Sequence, residues 1–230
     1  TDPRKAQAVA SHPKPFVVVA GTFAPRRGAE RYYTPLTEGR EQAAVLALKH
    51  FGMANTRDSA LRVHRYCQKN FDEPVEVGGH SQGALVAVWL WLFRPDWYLP
   101  PVMLAGPWAG ALLCQTWYPL GAALRSMASE SRFLHEVTEA FAALPTDDRT
   151  LLTSVVGRGD RVVQLTTAMV PGATNICIAP ERDHVELSRE FPGLELVEGD
   201  VGHSSMPRSS LVREVIDRRL AEVRARSERR

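Results

Sequence analysis

Three polar side chains, each placed just after a glycine turn, carry the chemistry legible in this sequence. Ser81 lies in Gly79-His80-Ser81-Gln82-Gly83, between the apolar Val75-Glu76-Val77 and the run Leu85 to Phe93. Asp160 closes Gly157-Arg158-Gly159-Asp160, and His203 follows Gly202. A serine hydroxyl is a poor nucleophile until an imidazole takes its proton, and the imidazole must be held in one tautomer by a carboxylate. In the chain order Ser…Asp…His these types point to acyl transfer through a covalent serine intermediate. The G-x-S-x-G spacing sets the serine on a sharp strand-to-helix turn, where glycines admit close backbone and the helix N-terminus favours developing negative charge. The alternative is an ordinary turn with a capping serine; the flanking strand and helix favour the nucleophile.

Asp160 and His203 each leave a strand end on the same edge as Ser81, so they can converge although far apart in sequence. Their competitors are weaker. His184, in Glu181-Arg182-Asp183-His184, sits among charges without a glycine loop. His80 is too close to Ser81 to serve as its base, and His12, His50, His64 and His135 fall on arms or helices. Asp200 shares a loop with His203 and is less apt than Asp160 to orient its ring. After the first core strand, Gly21-Thr22-Phe23 lets the chain turn over the nucleophile and aim an N–H at the reaction centre, with Thr22 the first donor and Phe23 the second.

The elements that must position these groups follow from pattern. Phe16-Val17-Val18-Val19-Ala20 reads as a strand buried on both faces of a parallel sheet. Arg26 to Thr34 reads as a polar connection, either a substrate entrance or plain surface. Glu41 to Phe51 has helical spacing at Ala44, Val45, Leu48 and Phe51 and stops at Gly52. Ser59 to Phe71 reads as a second helix capped by Ser59, with no clear strand between the two helices. Further strands are expected at Val75–Val77, Pro101–Pro107, Leu151–Val156, Thr174–Ile178 and Leu194–Val197. A terminal helix capped by Ser209 or Ser210 buries Leu211, Val212, Val215, Ile216, Leu220 and Val223.

Trp108 to Pro145 shows no strand pattern and many large apolar groups, among them Trp108, Trp117, Phe133 and Phe141. By topology this helical insertion lies at the carboxyl ends of the strands, where it is either a lid with an acyl-chain pocket or a packing helix pair. Phe23, His80, Trp108 and Trp117 are the candidate pocket residues.

Composition closes off other classes. At 230 residues, with 44% hydrophobic and 23% charged residues, the chain suits a loose arm over 1–15 and a single domain over 16–230. A net charge of +2 without a basic stripe argues against nucleic acid. No apolar run reaches the length of a membrane span. Cys67, Cys114 and Cys177 form no zinc spacing or disulfide framework, although one bridge is compatible with them. The opening at Thr1 rather than Met fits either a mature secreted product or a trimmed chain; the expectation is a soluble protein.

Four stretches carry a resemblance: Val18-Val19-Ala20-Gly21-Thr22-Phe23, Gly78 to Ala84, Gly159-Asp160-Arg161-Val162-Val163 and Gly202-His203-Ser204. Together they resemble the α/β-hydrolases of the lipase, esterase and cutinase branch, over nearly the whole of Phe16 to Val223. The resemblance implies a three-layer α/β fold with a small, mostly parallel sheet of about five strands and a lid-like helical insertion. It implies Ser81 as nucleophile, Asp160 as acid, His203 as base, and the N–H groups of Thr22 and Gln82 as oxyanion hole. The expected activity is that of a serine carboxylester hydrolase on acyl or lipid-like esters, with no metal or organic cofactor. A thioesterase or acyltransferase would use the same triad, and a hydrolase-fold binding protein would have lost catalysis.

Overall fold

The computed structural model describes residues 14–22, 24, 26–111 and 121–227. Most of the N-terminal arm, together with Phe23, Cys114 and Trp117, lies outside the described residues.

The β-branched run after Pro15 forms β1 (Phe16–Val19), wholly buried. Its side chains alternate between the two faces: Val17 and Val19 join one hydrophobic cluster, Phe16 and Val18 the other. Six further strands align with it: β2 (Ala43–Leu46), β3 (Glu76–His80), β4 (Val102–Leu104), β5 (Thr153–Gly157), β6 (Thr174–Ala179) and β7 (Glu195–Glu198). All pairs are parallel, in the order β2-β1-β3-β4-β5-β6-β7. Among the described residues the α-helices are α1 (Arg26–Tyr33), α2 (Thr56–Asn70), α3 (Gln82–Phe93), α4 (Ala122–Ser126), α5 (Arg132–Ala142), α6 (Thr146–Arg149), α7 (Leu165–Ala168), α8 (His184–Glu190) and α9 (Ser210–Ser227). The two clusters place helices on both faces, a three-layer α/β arrangement.

Two sequence expectations are corrected here. Among the described residues the sheet has seven strands, where the resemblance implies about five and the residue pattern marks six; the strand missing from the pattern is β2, contributed by the segment expected as a helix at Glu41 to Phe51. Its Ala- and Leu-rich residues suit a helix by intrinsic preference, yet pairing with β1 overrides that preference. The Phe16 N–H donates to the Gln42 carbonyl at 2.9 Å, and Ala20 N–H to Leu46 at 3.0 Å. A 3₁₀ turn, Lys49–Gly52, follows the strand. The polar connection after Pro25 is likewise a helix, α1, with Ala29 and Tyr33 buried.

Smaller corrections concern caps. Helix α2 begins earlier than Ser59, at Thr56, and Asn55 caps it by accepting from the Arg57 N–H. Ser59 is buried instead, and among the described residues its hydroxyl has no partner. Helix α9 starts at Ser210 and buries the expected apolar stripe except Leu211, which is half-buried, together with Arg219, whose guanidinium donates to Thr153 and Thr174.

Order β2-β1-β3 means the chain leaves β1 to one side and returns to the other. That reversal opens a crevice at the carboxyl ends of β1 and β3. Helix α3 leads away from it and is buried on every side from Gln82 to Trp91, which explains a helix with no polar face. Burying Leu85, Val86 and Leu90 contributes roughly 1.5–3 kcal/mol each. The helix start reaches the sheet only because it carries glycine. A β-carbon on Gly83 would lie 2.1 Å from the Val19 carbonyl oxygen, and one on Gly79 would lie 2.1 Å from the Gly83 oxygen.

Gly83→Ala separates two opposing effects. Helix preference alone would favour alanine by about 1 kcal/mol. The clash is with backbone and cannot be relieved by a side-chain rotation, so overpacking of about 2–3 kcal/mol wins. The net loss of about 1–2 kcal/mol should lower thermal melting by roughly 2–8 °C; a melting point raised above the parent's would show that the close approach is not a constraint.

Candidate active site

Ser81 caps α3 with φ 55° and ψ −123°, a left-handed conformation rare for a residue with a β-carbon. Such strain costs on the order of 1–3 kcal/mol and persists only where the surroundings over-determine it. Its hydroxyl makes no capping hydrogen bond, which sets aside the reading of a simple capping serine. The turn is anchored instead by backbone: Ser81 N–H donates to Leu104 at 2.8 Å.

The structure brings Asp160 and His203 together. His203 Nδ1 lies 2.8 Å from Asp160 Oδ2. The other carboxylate oxygen, Oδ1, accepts from the Val162 and Val163 N–H groups, each at 2.8 Å. The Asp160 side chain is wholly buried, and among the described residues its charge is met by these three donors. Because Nδ1–H donates to the acid, Nε2 of a neutral His203 is left as proton acceptor. The loop after β7 reaches back to this point over the end of β5, passing so close that a β-carbon on Gly157 would lie 1.9 Å from the Val201 oxygen. Ser81 and His203 line one cavity of about 460 Å³, together with Thr22, Ala29, Tyr32 and Tyr33.

His184 stands apart from this group: its Nε2 is 3.0 Å from the Ala179 carbonyl. The thiols of Cys67 and Cys177 are free, buried, and pushed up to about 11 by that burial, which makes them poor nucleophiles.

Around Thr22 and Gln82 the side chains form a chain of donors. Thr22 Oγ1 donates to Gln82 Oε1 at 2.9 Å, and Gln82 Nε2 donates to Thr56 Oγ1 at 3.2 Å. Thr56 pairs with Ser126 Oγ at 2.6 Å, and Ser126 bonds the Ala123 carbonyl at 2.9 Å. Gln82, Thr56 and Ser126 are all buried. Gln82 opens α3, so its own N–H has no intrahelical acceptor. Gly52 supports the same loop from below. At φ 77°, its β-carbon would lie 2.8 Å from Thr22 Cα and 2.7 Å from Gln82 Oε1. The Gly21 N–H, by contrast, is engaged by Tyr33 Oη at 3.1 Å. Thr56 and Ser126 escape sequence reading because their partners lie 26 and 70 residues away and follow no period.

The four expected pocket residues separate. His80 lines the cavity beside Ser81. Trp108 lines a different cavity, of about 680 Å³, with Leu134, His135 and Met169. Its ring meets Phe141 edge-on at 5.2 Å, and Phe141 in turn lies 6.3 Å from Trp91. The described part of the insertion thus packs Phe133, Leu134, Val137 and Phe141 into the core beside α3. Phe23 and Trp117 fall outside the described residues. No described helix is long and apolar enough to cross a membrane.

No family model matches the chain, and no curated protein matches it in sequence. Solved structures do. The mature form of the Bacillus licheniformis lipase BlEst2 aligns with a TM-score of 0.61 at 15% identity, covering 90% of this chain and 94% of that one. A putative non-heme bromoperoxidase from Mycobacterium tuberculosis aligns at 0.60 with 13% identity, over 92% and 93%. A meta-cleavage product hydrolase from Pseudomonas fluorescens aligns at 0.57 with 13% identity, over 96% and 93%. With its parallel seven-stranded sheet and a strained serine turn after β3, the chain has the α/β-hydrolase fold.

Proposed function

We propose that this protein is a serine carboxylester hydrolase that cleaves acyl or lipid-like esters through an acyl-enzyme. The observation that carries the reading is the shared cavity. A strained serine with an uncapped hydroxyl lines it beside a histidine whose Nδ1 is fixed by a buried, fully satisfied carboxylate. Low-identity likeness to hydrolase-fold enzymes supports the setting and not the substrate.

In this reading His203 Nε2 removes the Ser81 hydroxyl proton as Oγ attacks the ester carbonyl. The carbonyl π pair moves onto oxygen, and the N–H groups of Gln82 and Thr22 stabilise the oxyanion. Collapse breaks the bond to the alkoxy group, which leaves with the proton held by His203. Water then enters, gives its proton to His203, and attacks the acyl carbon; release of the acid returns that proton to Ser81. Asp160 stays ionised throughout and stabilises the imidazolium. Donation of the Gly21 N–H to Tyr33 leaves Thr22 as the first available donor on its loop. The wall facing the serine comes from α1, through Ala29, Tyr32 and Tyr33.

Ser81→Ala should lower kcat/KM on a p-nitrophenyl acyl ester by about 10⁴-fold or more while leaving the melting temperature near the parent's. Intact-mass analysis should show one fluorophosphonate adduct on the parent and none on the variant. Retained hydrolysis by Ser81→Ala would end the assignment. His203→Ala should be comparably damaging, since triad members act as a unit, and His184→Ala should stay within about threefold of the parent. An inactive His184→Ala beside an active His203→Ala would reverse the choice of base. Thr22→Val removes the bond to Gln82 and keeps the backbone N–H. Its kcat should fall by about tenfold to a hundredfold at similar KM, whereas unchanged kcat would detach this loop from the oxyanion.

A further inference from the structure

Tyr33 and His80 are buried polar groups that take no part in the proton transfers proposed above. The Gly21 N–H donates to Tyr33 Oη at 3.1 Å, Tyr33 Oη lies 2.7 Å from His80 Nδ1, and His80 Nε2 lies 3.0 Å from the His203 carbonyl oxygen. The direction of these bonds is dictated by their ends. A carbonyl oxygen only accepts, so His80 Nε2 carries a proton; a neutral ring then accepts at Nδ1 from the Tyr33 hydroxyl, whose oxygen accepts from Gly21. Burial first, and the neighbouring His203 second, hold His80 down to about 3, so the ring is neutral. Burial pushes Tyr33 up to about 12, so it keeps its proton.

The chain of bonds joins the loop after β1, helix α1, the serine turn and the loop of the base. A second strut runs in parallel: the adjacent Tyr32 donates its hydroxyl to the Ser204 carbonyl, one peptide beyond His203. Successive tyrosines of α1 therefore reach consecutive carbonyls of the base loop, one through His80 and one directly. The His80 and His203 rings lie 4.6 Å apart, centroid to centroid.

We propose that Tyr33 and His80 are positioning residues, a one-way hydrogen-bond relay that sets the backbone of His203, and thereby the aim of its imidazole, against Ser81 and the Thr22 loop. The proposal rests on His203 being the base. The groups facing His80 are Tyr33 from α1, Ser81 and Gly21 from the loops, and His203 with Asp160 behind it. Apolar side chains of similar size would fill the same space. What they would lose is orientation, and a displacement near 1 Å at a reacting group costs about a hundredfold in rate.

The test uses the full chain with ¹⁵N-labelled histidine, as parent, Tyr33→Phe, His80→Gln and His80→Leu. In the parent, His80 should be the Nε2–H tautomer and should not titrate between about pH 5 and 8. Tyr33→Phe should move the His80 Nδ1 signal toward that of an unbonded acceptor and should also shift the His203 signals. On a p-nitrophenyl ester, Tyr33→Phe should lose about tenfold to a hundredfold in kcat, with KM within about twofold. Glutamine can accept from Tyr33 and donate to the His203 carbonyl, so His80→Gln should keep at least about fivefold more kcat than His80→Leu. A purely structural role predicts equal kcat for those two variants. An Nδ1–H tautomer, titration of His80 near its ordinary 6.5, or His203 signals indifferent to Tyr33→Phe would overturn the relay. If Tyr33→Phe does not fold, the parent's tautomer and the glutamine–leucine pair decide. If the parent neither hydrolyses esters nor takes a fluorophosphonate, the hydrolase reading falls by itself, while the tautomer and the His203 shifts still decide whether the relay exists.

Discussion

The approach of the α3 N-terminus to the end of β1 is the contact on which the rest of this molecule depends. Backbone meets backbone there, with Gly83 under the Val19 carbonyl and Gly79 under Gly83. Only that closeness puts Ser81 into its left-handed conformation and leaves its hydroxyl clear of the helix cap. Strain of about 1–3 kcal/mol is small beside the burial of α3, where several side chains each contribute roughly as much. The helix is apolar on all sides because it must be held from all sides. Its sequence makes little sense as a surface helix and full sense as the clamp on a strained turn.

Much of this is legible in the amino-acid sequence. Continuous β-branched runs such as Phe16-Val17-Val18-Val19 announce doubly covered parallel strands, and the structure buries them fully. The stripe Val212, Val215, Ile216, Leu220 and Val223 announced α9. What stayed illegible has physical causes. Ala43 to Leu46 is a strand because β1 has an open edge for it to pair with, and nothing in an alanine- and leucine-rich segment records that edge. Tyr33, Thr56 and Ser126 carry no pattern, since one buried hydrogen bond needs only one residue in the right place. Their partners are 47, 26 and 70 residues away.

The insertion after Trp108 illustrates a different ambiguity. Large aromatic groups near a site invite a pocket reading, yet the described ones interlock: Trp108 on Phe141, and Phe141 beside Trp91 of α3. They support the helix that supports the serine. The wall that faces Ser81 comes instead from α1, a segment whose polarity had marked it as a connection or an entrance. Arg, Gly and Ala supply no apolar stripe there, because that helix buries only a few residues and offers others to the cavity.

The electrostatics of the site follow from this division. Two imidazoles lie 4.6 Å apart beside a single carboxylate. Two charged rings at that distance would repel in a medium that screens poorly, so only one of them can serve as a proton carrier. The protein settles which one by burial and by bonding. His80 is enclosed and bonded at both ring nitrogens, so its depressed basicity removes it from titration across the range in which a serine needs a base. His203 is bonded at Nδ1 by an acid that is itself saturated, and its Nε2 is the nitrogen left over. In the proposed mechanism, the histidine beside Ser81 thus acts by staying neutral in that range. In that reading its neutrality protects the role of the other ring, while its two hydrogen bonds join the loop after β1 and helix α1 to the loop that carries His203.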